Sequence, residues 1–67
     1  MIRQQIRKDY DALRSEGSRM AEAIRTAVML NPSARVEDVI AALPELKPQT
    51  IRNRFRESKL ISKEMGE

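Results

Sequence analysis

Residues 36–55 read VEDVIAALPELKPQTIRNRF. Val36, Val39, Ile40 and Leu43 repeat at spacings of three, one and three, which lines one side of a short α-helix over 35–43. Glu37 and Asp38 fall in its first turn, where carboxylates meet the positive end of the helix dipole. Ser33 stands just ahead as a candidate N-cap. Pro44 stops this helix, and the link Pro44-Glu45-Leu46-Lys47 leads to Pro48. Proline suits a first helical position, because its φ is already right and its missing N–H would have gone unpaired. A second helix is expected over 48–58, with Ile51 and Phe55 stacked at i and i+4 toward the core. With Ile51 at zero and about 100° per residue, Arg52 lies about 100°, Arg56 about 140°, Gln49 about 160° and Asn53 about 200° round the helix. Those four side chains face away from the core.

Working outward, Ile2, Ile6, Tyr10 and Leu13 recur at four, four and three, which predicts a helix over 2–16. Gly17 tolerates the left-handed conformation that ends many helices, and Ser18 can accept from the free amides of the next one. A helix over 18–30 follows, carrying Met20, Ile24, Ala27 and Val28 inward. It ends by Asn31, because the residue before Pro32 is pushed out of the helical region. Beyond Ser58 the apolar spacing slips: Leu60 lies about 180° from Ile51. Residues 59–67 are therefore expected to be a tail, either a frayed helix or the start of an extended segment or wing. No stretch alternates with a period of two long enough to predict a strand. The fold class is all-α, a small three- to four-helix bundle in a single domain, 1–67.

Composition narrows the function. The chain has 67 residues, with no Cys, no His and no Trp. Disulfides, thiolate metal sites and His-based catalysis are thereby excluded, and no metal site or cofactor is expected. Asp38 and the Glu45-Leu46-Lys47 run superficially resemble the carboxylate and Glu-x-Lys set of metal-dependent nucleases, but those groups sit on adjacent strands, whereas here a helix and a turn are expected. No enzyme is expected. The longest apolar run is Val39–Leu43, far short of the roughly 18 residues that cross a bilayer, so no membrane partner is expected and the location is taken as cytoplasmic, close to the nucleoid. Net charge is +3 overall, but residues 47–60 alone carry +4. Placement, not total, is the informative quantity.

Two short helices joined by a tight turn, the first mildly acidic and the second basic on its outer face, resemble the helix-turn-helix DNA-binding domains of bacterial regulators. VEDVIAAL (36–43) is similar to their supporting helix and KPQTIRNRF (47–55) to their recognition helix. The family's small residue at the helix crossing is matched by Ala41 or Ala42, its apolar residue after the turn by Leu46, and its frequent Thr-Ile pair by Thr50-Ile51. The likeness covers residues 20–58. It departs at the turn, which usually holds Gly and here has Pro44-Glu45 and one residue more, as in winged-helix and homeodomain-like members.

The resemblance implies sequence-specific binding of double-stranded DNA, as a transcriptional repressor or a plasmid or phage regulatory or stability factor. It also implies a possible homodimer, with the first helix as its surface, or tandem binding on repeated half-sites. Amide and guanidinium side chains suit base edges in the major groove, which makes Gln49, Arg52, Asn53 and Arg56 the candidate base contacts. Arg35, Lys47, Thr50, Arg54 and Lys59, on the flanks and ends, are the candidate phosphate contacts. Two alternatives use the same basic face: a helical module that docks on a polymerase or regulator, and a bundle that binds structured RNA by its shape and phosphates.

Overall fold

α1 (Ile2–Ser15) buries Ile6 and Tyr10 from its apolar stripe and half-buries Ile2 and Leu13. In the computed structural model, which describes residues 1–66 and the side chains through Leu60, α2 (Met20–Leu30), α3 (Val36–Ala42) and α4 (Pro48–Gly66) follow. The fold is an all-α bundle of four helices, with no strand among the described residues. α2 packs on both α1 and α4, and α3 closes the core against α1 and α4. Where they meet lie Ile6, Tyr10, Ala23, Ile24, Val28, Ala34, Val39, Ala42, Leu43 and Ile51.

The chain ends α1 with a left-handed glycine. Gly17 has φ +101°, its N–H donates to the Arg14 carbonyl, and the Ser18 N–H donates to the Leu13 carbonyl. Together these bonds satisfy carbonyls that the last turn of a helix leaves open. A side chain at residue 17 would meet open space but would force an unfavourable backbone. Gly17→Ala is therefore expected to cost about 1–2 kcal/mol, read as a lower urea midpoint with an unchanged far-ultraviolet spectrum.

Several details differ from the sequence reading. Ser18 and Ser33 do not cap: the N-cap positions of α2 and α3 are Arg19 and Arg35. At α3 the Asp38 carboxylate reaches back to accept the Arg35 N–H at 3.1 Å, the side-chain return of a capping box. Displacing the start to Val36 lets Ala34 enter the core. Met20 is exposed, and Ala23 is fully buried. Asn31 ends α2 with its own amide, donating to the Ala27 carbonyl at 2.8 Å and to Asp9 at 2.9 Å.

At the C-terminus α4 does not stop at Ser58 but runs on to Gly66, so over 59–66 the helical alternative for the tail is the one found, in place of an extended segment or wing. Its 19 residues span about 28 Å. Ser58 is fully buried, donating to the Arg25 and Arg54 carbonyls, and Lys59 Nζ donates to the Pro32 carbonyl at 3.1 Å. These bonds hold α4 to α2 and to the following loop where the apolar spacing falters. No helix among the described residues is long and apolar enough to cross a membrane.

Candidate nucleic-acid interface

Pro48 opens α4 as its first helical residue, and the Ile51 N–H donates back to the Lys47 carbonyl at 3.2 Å. Ile51, fully buried, then fixes the rotation of the helix against the body. The 3.6-residue repeat does the rest: Gln49, Arg52, Asn53 and Arg56 all emerge exposed along one side. Gln49 Nε2 donates to Asn53 Oδ1 at 3.1 Å, one turn apart, which aligns the two amides along the helix. The four predicted base-reading residues are thus brought together on one face.

The predicted phosphate contacts divide. Lys47 is exposed where the turn enters α4, Arg35 is exposed at the start of α3, and Thr50 is half-buried in the first turn of α4. Arg54 points elsewhere. Its Nη1 donates to Glu57 Oε1 at 3.0 Å, and Arg25 of α2 approaches the same oxygen at 2.9 Å. Arg54 thus serves the seam between α2 and α4 and does not project with the basic row. Lys59 has one N–H on the Pro32 carbonyl and lies 5.2 Å from the centre of the Phe55 ring.

Electrostatics sort the remaining charges. Arg7 Nη1 stands 2.7 Å from both Glu45 oxygens and donates to the Ala42 carbonyl at 3.3 Å, while its Nε donates to Asp11. Arg3 donates to Asp38 at 3.0 Å. Two arginines of α1 thereby neutralise acidic groups on α3 and on the turn, and pin that turn in place. By contrast, Arg52 and Arg56 have no carboxylate partner among the described residues. The positive excess at 47–60 is therefore displayed mainly on one side of α4. Sequence reading missed the Arg7 junction, whose partners are 38 residues apart.

These pairs set an acid limit. The Asp38 carboxyl is held below its ordinary range chiefly by the Arg35 N–H and then by Arg3, and Glu45 is lowered chiefly by Arg7. Lowered folded values stabilise the protein above the unfolded carboxylate pKa of about 4, and that stabilisation disappears as pH falls through the folded values. The melting temperature should accordingly drop below about pH 4, and Glu45→Gln should flatten part of that drop in a thermal series. Because both pairs are exposed, added salt should shrink the difference.

Phe55 is a correction to the expected core. It is only half-buried, packing on the edge of the cluster and lining a groove with Val36 and Leu60. α1 turns its apolar stripe into the bundle through Ile6 and Tyr10. Compared with protein-family models, curated proteins and solved structures, the chain has no match in any of the three.

Proposed function

We propose that this protein binds double-stranded DNA by laying the first turns of α4 in the major groove, acting as a repressor or another plasmid or phage regulatory factor. One observation carries the reading: Gln49, Arg52, Asn53 and Arg56 are exposed together, and the two arginines lack carboxylate partners among the described residues. Such a row supplies paired donors and acceptors for adenine and paired donors for guanine on a rod that the groove can admit. Lys47 and Arg35, at the starts of α4 and α3, flank it as phosphate contacts. α3 and the turn, held by Arg3 and Arg7, keep the rod at a fixed angle to the body.

Selection of bound sites from random duplexes tests the proposal, followed by titration of the selected duplex at several salt concentrations. A defined motif is expected, together with a steep fall of affinity with salt. Enrichment of no motif would defeat the sequence-specific reading, and affinity unchanged by salt would defeat phosphate contact altogether. Lys47→Ala is expected to weaken selected and random duplexes alike and to lower the salt slope by about one.

A further inference from the structure

We infer that the groove between the start of α3 and the flank of α4 is a binding site for a small apolar monocarboxylate, a molecule with one aliphatic chain or ring and one anionic head. The groove has a volume of about 450 Å³ and is lined by Val36, Phe55 and Leu60 together with Arg52, Arg56 and Lys59. That volume falls within the roughly 300–1,000 Å³ of small-ligand sites. Among the described residues three cations line it and no carboxylate does, so its charge selects an anion. Arg52 and Arg56 are unpaired among the described residues. Lys59 has given one N–H to the Pro32 carbonyl, which leaves donors of its ammonium for a ligand.

The apolar part restricts the class further. Phe55 is one of only two aromatic residues in the chain, and it is left half-uncovered. Leu60 is 55% exposed beside it. A small multiply charged anion would satisfy the cations but leave this floor wet. A whole partner helix would need a longer strip, since residues 52–60 rise only about 12 Å along α4. A single chain or ring that covers Val36, Phe55 and Leu60 and directs one carboxylate at Arg52 and Arg56 meets both demands. The site shares those two arginines with the proposed DNA face. Occupancy should therefore oppose DNA binding, a consequence that rests on the DNA reading; the binding itself does not.

The test is an amide-shift titration of the isotopically labelled protein, without DNA, using phenylbutyrate, phenylbutanol and phenylbutylamine. These probes share a skeleton and differ in the charge of the head. Phenylbutyrate is expected to saturate, to shift the amides of Val36, Phe55 and Leu60 most, and to bind roughly tenfold tighter than the alcohol. The amine should bind most weakly. Arg56→Gln and Leu60→Gln, both at exposed positions, should each weaken phenylbutyrate by roughly fivefold while the rest of the spectrum is kept. Equal binding of acid and alcohol, shifts scattered away from the groove, or indifference to both substitutions would overturn the assignment. A second arm adds phenylbutyrate to the selected duplex complex. Displacement supports the shared site; ligand binding without displacement keeps the groove assignment and removes the competition. Failure of DNA binding alone leaves the amide-shift result standing.

Discussion

Truncating Ile51 to Ala is expected to remove about 2–5 kcal/mol of stability, out of a total near 3–10 kcal/mol for a chain of this length. Ile51 is fully buried on α4, in the cluster that includes Ile24, Val39 and Leu43. Losing its side chain opens a cavity where α2, α3 and α4 converge. Few neighbours can collapse into that cavity, since the core is small and much of it is alanine. Urea unfolding followed by circular dichroism should show a population partly unfolded already in water. Ile51→Val, which keeps the branching, should cost only about 0.5–1.5 kcal/mol. A truncated protein as stable as the parent would mean that α4 is held by something other than this anchor. The same variant should fail to bind DNA at temperatures where it has melted, so binding assays on it are informative only below its transition.

The second large effect concerns recognition. Arg52→Ala and Asn53→Ala are each expected to reduce the preference for the selected site over random duplex by about 1–3 kcal/mol, roughly fivefold to 150-fold. Both residues are exposed, so folding stability should stay within about 0.5 kcal/mol of the parent. The two differ in kind. Arg52 carries charge, so its loss should also weaken non-specific binding, whereas Asn53 carries none and should change only the choice of base. Gln49 donates to Asn53, so Gln49→Ala should loosen the orientation of that amide and broaden the preference at the same base step. Competitive mobility-shift titrations with single-position variants of the selected duplex would measure all three. If discrimination survived every substitution, α4 would not be the reading element.

Much of the architecture was legible because it depends on spacing. The apolar repeat gave α1 and α3 to within a residue at each end, and Pro32, Pro44 and Pro48 marked boundaries through backbone restrictions that operate in any context. Gly17 was identifiable for the same reason. The solvent face of α4 followed from the placement of Ile51 alone. What escaped depends on distance in space. Nothing local shows that Arg7 meets Glu45, or that Arg25 and Arg54 share Glu57. The extension of α4 past Ser58 was obscured because Leu60 breaks the stripe, yet a helix already anchored needs no further buried residue to add a turn, only backbone hydrogen bonds. The i+4 relation of Phe55 to Ile51 directs it inward, but about 40° of rotation is enough to leave a large ring at the rim.

The neutralisation of Arg3 and Arg7 by carboxylates on α3 and the turn has a consequence for motion in solution. With those charges cancelled at close range, the long-range field of the molecule emanates chiefly from one flank. A polyanion several ångströms away would exert a torque that turns this flank forward before any contact forms, so encounters should be oriented more often than chance allows. Reversing Glu45 would release Arg7 and spread the field over a second side, slowing productive association even if every residue that touches the target stayed in place.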